Sequence, residues 1–117
     1  MIRVTAYLRP HRLEAVKAAV AAVGVSGLTV ADVRGTGNSE ESASLFGGAA
    51  RAGAMPIRSR LTVVARDEVV EEVVAAILEN GRSGSGGVGE PNDGKIFLER
   101  VADAVRIRTG ERGDAAV

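Results

Sequence analysis

The chain has 117 residues, with fifteen basic and fifteen acidic side chains, a formal net charge of zero and no cysteine. That length suffices for one domain with a real core, and the balanced charge leaves no electrostatic footprint for nucleic acid or an anionic membrane. Without cysteine there are no disulfides or thiolate metal sites; without a signal-peptide pattern or long apolar span, a cytoplasmic chain with no direct membrane insertion is expected.

Aromatic residues make up 3% of the sequence, so Val, Ala, Leu and Ile must build the core. Ile2, Val4, Ala6 and Leu8 alternate with Arg3, Thr5 and Tyr7, the pattern of a half-buried strand. Pro10 suits the first turn of a helix. Leu13, Val16, Val20 and Val23 then form one apolar stripe, and Gly24 supplies a stop. Residues 28–34 read as a second strand. Residues 35–56 are rich in Gly and Ser and poor in periodic apolar positions. A compact domain rarely keeps about twenty structureless residues unless they serve binding, so this stretch reads as a partner-contacting arm. Ile57–Ala65 is a third strand, and Val69, Val70, Val73, Val74, Ile77 and Leu78 form a broad apolar helix face with Asp67 placed as its cap.

Residues 83–95, SGSGGVGEPNDGK, follow that helix and precede the β-rich run Ile96, Phe97, Leu98. Glycine this dense implies backbone at positive φ, or close approach of something to the backbone. Backbone N–H groups there, with the ammonium of Lys95, can cradle phosphate oxygens. Gly84, Gly86 and Gly89 match G-x-G-x-x-G, but a helix precedes them where the dinucleotide fold needs a strand. Gly89, Gly94 and Lys95 match the spacing of a P-loop, but Ile96 stands where Ser or Thr should bind Mg²⁺. Both known motifs therefore fail on context. Further on, Arg106 and Arg108 alternate with Val105 and Ile107, so two guanidiniums on one side of an extended segment would suit phosphate or carboxylate.

An internal repeat orders these pieces. Arg3-Val4-Thr5 through Gly24 matches Arg60-Leu61-Thr62 through Gly81 at a constant offset, 81 − 24 = 57, with Arg9 falling on Arg66. Two strand–helix units, each followed by a strand, give an α+β chain of ferredoxin-like βαββαβ order. Both helices then cover one sheet face, and the other is left to self-association.

The chain resembles the nitrogen-regulatory PII signal-transduction family over nearly its whole length. The resemblance rests on Leu8-Arg9-Pro10 with Leu13, Gly27-Leu28-Thr29-Val30, Val33-Arg34-Gly35-Thr36-Gly37 and Asp93-Gly94-Lys95-Ile96-Phe97. The most specific match is Arg106-Ile107-Arg108-Thr109-Gly110-Glu111 with Asp114-Ala115-Ala116. It implies a single ferredoxin-like domain over residues 1–117 that forms a homotrimer, with adenine-nucleotide sites for ATP, ADP or AMP in the intersubunit clefts. It also implies a partner-contacting T-loop at about 36–56, a phosphate-holding B-loop at about 81–95 and a C-terminal loop at about 106–117. Carried over residue by residue, the nucleotide-binding positions are Thr29, Gly35, Gly37, Val64, Asp93, Gly94, Lys95, Arg106 and Arg108. Ser39, Glu40, Leu45, Phe46 and Arg51 would lie on the T-loop that meets the target, a transporter or metabolic enzyme. Arg58 falls on the lysine that meets an effector carboxylate.

The departures from the family pattern are equally specific. Ser39 replaces the glutamine that helps hold Mg²⁺ and 2-oxoglutarate, Asn38 the arginine beside it, and Thr62 a buried glutamate. Arg51 and Ala49 stand at the modifiable tyrosine and serine. The B-loop is about five residues longer than usual, a change that loops tolerate at little entropic cost. The pattern is similar to the divergent PII-like branch linked to transporters and inorganic carbon. The expectation is a switch without the usual 2-oxoglutarate response, with no enzyme cofactor and Mg²⁺ involvement left open. The alternatives are a 2-oxoglutarate- and ATP-sensing nitrogen regulator, and a bicarbonate- and AMP-responsive carbon regulator. Catalysis is not expected: no nucleophile–base pair is evident, and His11 sits at a helix start. A phosphate-transferring enzyme and a purely structural trimer are the readings from other classes.

Overall fold

The structure, a computed structural model, describes residues 1–36, 55–84 and 87–117. Its elements run β1 (Ile2–Leu8), α1 (Leu13–Ala22), β2 (Thr29–Arg34), β3 (Ile57–Ala65), α2 (Val70–Gly81) and β4 (Gly94–Arg100). Short 3-10 turns, Pro10–Arg12 and Asp67–Val69, lead into the two helices. The strands form one antiparallel sheet in the order β2-β3-β1-β4, the ferredoxin-like α+β arrangement.

Strand alternation decides which side of the sheet is buried. Val4, Ala6 and Leu8 of β1 and Leu61, Val63 and Ala65 of β3 point at the helices and are buried. Val16 and Val20 of α1 and Val70, Val73 and Ile77 of α2 close over them. Residues opposite one another in the ladder share a face. The other face of the sheet therefore carries Arg3, Thr5 and Tyr7, Arg58, Arg60 and Thr62, and Lys95, Phe97 and Glu99. It is rich in cationic side chains but also carries Ala31, Val33 and Val64, and Tyr7 and Phe97 give it aromatic body.

Three local expectations are corrected. Asp67 does not cap α2. Its carboxylate instead accepts from the Met1 ammonium at 2.7 Å and from Arg100 at 3.4 Å. These donors hold its carboxyl below the usual carboxylate range, and outweigh the opposing effect of desolvation. In β4, pairing starts at Gly94 and runs to Arg100, because Gly94 lies directly opposite Leu8 in the ladder. Gly94 and Lys95 thus belong to a strand rather than to a loop. In α2, Ala76 is buried while Leu78 is 40% exposed, since Leu78 faces the edge strand beside Leu98 instead of the sheet centre.

Leu61 is fully buried at the middle of this core. Leu61→Ala is expected to lower stability by about 2–5 kcal/mol, read from urea unfolding. A loss below about 0.5 kcal/mol, the surface level, would mean that β3 does not pack as described.

Candidate functional site

The end of β1 and the start of β4 bring the glycine-rich loop onto the sheet. Lys95 is exposed and lies opposite Tyr7 on the open face. Gly94, before it, has φ +122°, and a Cβ there would run into the Tyr7 carbonyl oxygen. Only a glycine lets the two strands approach this closely. Across the sheet, the Gly35 N–H donates to Pro56 O at 3.1 Å, and Arg34 Nη1 donates to Met55 O at 3.0 Å. These two bonds close the neck of the 35–56 stretch. Between neck and loop lies a cavity of about 530 Å³, lined by Gly35, Thr36, Arg58, Asn92, Gly94 and Lys95 with the Tyr7 and Phe97 rings as its wall. The rings meet edge to face, with centroids 6.0 Å apart. A concave space flanked by two cationic side chains and a glycine backbone suits an anionic ligand carrying a flat group.

Asp93 organises the loop itself. Its Oδ2 accepts the backbone N–H groups of Ser83 and Glu90, each at 2.8 Å. Its Oδ1 accepts from Arg9 Nε at 3.1 Å, and Arg9 Nη2 also donates to Pro91 O at 2.8 Å. The Asp93 side chain is only 16% exposed. Burial by itself pushes its pKa up, but the donors from Glu90, Ser83 and Arg9 outweigh that and lower it to about 2. Behind the loop, on the helix side, a second cavity of about 350 Å³ is walled by Leu8, Val74, Ile77, Leu78, Ile96 and Leu98.

Residues 105–112 fold back on themselves. Val105 bridges to Arg112, the Arg106 N–H donates to Glu111 O, and the Gly110 N–H donates to Arg106 O. The extended segment expected there is therefore a tight turn, and Arg106 and Arg108 do not share one strand face. Arg106 Nη1 pairs with Glu111 Oε1 at 2.9 Å, and its Nη2 donates to Ala115 O. Arg108 stands exposed in the turn. This segment sits at the Met1 end of the sheet, where the Val101 N–H meets Met1 O and Arg66 reaches Asp114 O. Lys95 is at the opposite end. Along β4 alone, Lys95 and Arg100 are separated by about 16 Å.

Gly35, Arg58, Gly94 and Lys95 thus surround one cavity, with Asp93 behind it. Thr29 lies on the same sheet face opposite Thr62, about 16 Å along the strand from Arg34 at the neck. Val64 stands opposite Arg3, near the C-terminal segment. Gly37, Ser39, Glu40, Leu45, Phe46 and Arg51 fall outside the described residues. Sequence reasoning missed Tyr7, Thr36, Asn92 and Phe97 as lining groups and Arg9 as a loop partner. The Arg9–Arg66 match in the repeat was the one signal available for Arg9. No group of three or more His, Asp or Glu able to hold a metal ion occurs among the described residues, and no helix there is long and apolar enough to cross a membrane.

Residues 1–111 match the family model described as nitrogen regulatory protein P-II. The chain is 39% identical over 117 residues to the nitrogen regulatory protein P-II of Cereibacter sphaeroides, and 35% identical over 117 residues to that of Haemophilus influenzae. Both alignments cover 100% of each protein. A nitrogen regulatory protein P-II homolog of Arabidopsis thaliana is 37% identical over 115 residues, 97% of this chain and 56% of that protein.

The lowered Asp93 pKa fixes the sign of a pH effect. Its ordinary value is 3.8 and its folded value about 2. The stabilisation is therefore complete above the ordinary value and lost as pH falls through the folded one. The stability difference between the wild type and Asp93→Asn should be constant at neutral pH and close up toward pH 2, as measured by urea unfolding at each pH. A difference that grows on acidification would contradict the assignment.

Proposed function

The chain belongs to the nitrogen regulatory protein P-II family of signal-transduction regulators, and from that premise we propose that it is a nucleotide-responsive homotrimer. Adenine nucleotides (ATP, ADP or AMP) bind in clefts between copies, and occupancy biases the T-loop toward or away from a target protein. The observation that carries this reading is the cavity shared by Gly35, Arg58, Gly94 and Lys95 at the neck of the 35–56 stretch. A polyphosphate there meets Lys95 and lies against Gly35 and Thr36, the start of the segment proposed to contact the target, which is hydrogen-bonded to Pro56 at its end. Ligand binding can shift such a segment only by the difference in affinity it has for the segment's conformations.

Two copies are needed to complete the site. Arg106 and Arg108 sit at the far end of their own sheet, so they reach a Lys95 cavity only if the end of one copy abuts the start of the next. Head-to-tail contacts of this kind close into rings when the rotation permits. The cation-rich open face also favours assembly around anions over assembly by apolar burial alone. The proposed boundaries are one domain over 1–117, with the T-loop at about 36–56, the B-loop at about 81–95 and the C-terminal loop at about 106–117. The target is a transporter or metabolic enzyme, the compartment is the cytoplasm, and no chemistry is carried out on the nucleotide.

Subunit complementation tests the shared site. Lys95→Ala and Arg108→Gln should each weaken ATP binding by about 10–100-fold in calorimetry, the worth of one lost charged hydrogen-bond donor. Trimers mixed from the two variants should recover a fraction of wild-type sites, because some clefts then receive an intact Lys95 and an intact Arg108. No recovery on mixing would place the two groups in separate functions.

The substitutions Ser39 and Thr62 make a second expectation. Titration with 2-oxoglutarate in the presence of ATP and Mg²⁺ should give no heat beyond dilution. Tight, nucleotide-dependent binding would assign the effector role to other groups, Arg58 first among them.

A further inference from the structure

We propose that Arg9 is the positioning residue of the glycine-rich loop: its guanidinium latches Pro91 and Asp93 to the end of β1, and so sets where the phosphate-facing backbone and Lys95 stand. The consequence for nucleotide affinity rests on the proposed function above; the latch itself does not.

The two ends of the loop are held differently. Its far end is fixed by the Leu8–Gly94 and Tyr7–Lys95 pairs of the ladder. Its near end leaves α2 at Arg82, in extended backbone and with no glycine stop. Gly84, Gly87, Gly89 and Asn92 between them all have positive φ. A segment this rich in left-handed conformations has many alternatives and little apolar surface to choose among them. What selects one is the Asp93 carboxylate, which gathers the Ser83 and Glu90 amides on one oxygen. Room for it is made by glycine: a Cβ on Gly89 would lie 2.9 Å from Asp93 Oδ2. Those two amides are thereby already taken, and the chain's own carboxylate occupies the inner anion cradle of the loop. An incoming phosphate meets the outer rim, at Gly94 and Lys95.

A carboxylate so enclosed needs a cation. Arg9 supplies it by Nε at 3.1 Å, while Nη2 holds the Pro91 carbonyl at 2.8 Å, so one planar group fixes both the carboxylate and the backbone beside it. At 29% and 16% exposure, this pair is drier than a surface ion pair of negligible worth. The internal repeat gives independent support. Arg66 is the counterpart of Arg9, 66 − 9 = 57, and both precede a 3-10 turn in extended backbone, at φ −65°, ψ 135° for Arg9 and φ −65°, ψ 150° for Arg66. Arg66 also reaches a loop at its own sheet end, donating to Asp114 O at 3.4 Å. The duplicated unit uses the same arginine twice, once for each segment proposed to touch nucleotide.

Amide hydrogen exchange on the full-length, ligand-free protein tests the latch. In Arg9→Gln the Ser83 and Glu90 amides should exchange roughly tenfold faster, in line with one lost charge-assisted bond. Amides of the buried β1 and β3 strands should keep their wild-type rates. Arg9→Lys, which keeps the charge but not the fork, should restore most of the protection. Asp93→Asn should reproduce the local acceleration, and the effects of the two substitutions should fall short of additive in the double variant, since both break the Arg9–Asp93 ion pair. ATP affinity, by calorimetry, should fall about tenfold in Arg9→Gln and recover in part in Arg9→Lys. Unchanged exchange at Ser83 and Glu90 overturns the latch, and so does acceleration spread evenly through the core, which would make Arg9 a general stabiliser. Accelerated loop exchange with unaltered ATP affinity overturns the positioning of Lys95. A wild-type protein that binds no ATP refutes the nucleotide reading instead, and the exchange rates still decide the latch.

Discussion

The close antiparallel contact between the end of β1 and the start of β4 is the constraint on which the site depends. Gly94 faces Leu8 so tightly that a side chain at 94 would strike the Tyr7 carbonyl. One residue later, Lys95 is carried onto the open face beside Tyr7, and one residue earlier, Asp93 is carried back toward the helices. Asp93 and Lys95 are two residues apart, a spacing that strand alternation would put on one side; Asp93 departs from it because it lies in the loop before β4, where Arg9 and the Ser83 and Glu90 amides hold it. The carboxylate goes inward, where it finds amides and Arg9; the ammonium goes outward, where it stays exposed. A slip of one residue in this register would turn Lys95 toward the helices and take the ammonium from the open face.

The charges of the molecule sort along the same line. Formal charge is zero overall, yet the open sheet face carries Arg3, Arg58, Arg60 and Lys95 against Glu99. Acidic groups are spent locally instead. Asp67 holds Arg100 and the N-terminal ammonium, Asp93 holds Arg9, Asp103 holds Arg112, and Glu111 holds Arg106. The carboxyls of Asp67, Asp93 and Asp103 are all held below the ordinary range. The Asp67 and Asp93 pairs tie a chain end and a loop to the ends of strands, and the Asp103 and Glu111 pairs close the C-terminal segment on itself. Net charge conceals this division, since only the fold says which side of the sheet a charge lies on.

The strands, the helices and their order were legible because they follow from local periodicity. β1 and β3 have the expected residues, and the repeat at offset 57 gave the βαββαβ order before any contact was known. Lys95 and Gly94 were legible as a pair for the same reason, through their place after a glycine-rich loop. What escaped reading depends on neighbours distant in sequence. Asp67 has the composition and place of a cap, but the Met1 ammonium and Arg100 compete for it more strongly than the backbone does. Arg106 and Arg108 alternate like strand residues, yet no strand lies alongside to pair with them, and the segment closes on itself through Glu111. Arg9 gave almost no sign, because its partners are more than eighty residues away. Tyr7 and Phe97 become a wall only once β1 and β4 pair.

The separation of the two basic segments has a further physical consequence for the proposed switch. Within one copy, Lys95 and the Arg106–Arg108 turn are tied to opposite ends of the same sheet by Arg9 and Arg66 respectively. The sheet is a rigid, well-packed body, so no motion inside one copy brings these groups together. A ligand that engages both must therefore bridge two copies, and its binding energy is delivered across the contact between them. In the proposed ring each copy would offer a Lys95 end to one neighbour and an Arg108 end to the other. In a closed ring of this kind, occupancy of a cleft would bear on the neck of the copy that supplies Lys95. Among the described residues the neck is held by the hydrogen bonds Gly35 to Pro56 and Arg34 to Met55, and the sheet beneath it is a continuous ladder. A ligand at the cavity therefore acts directly beside the base of the segment proposed to meet the target.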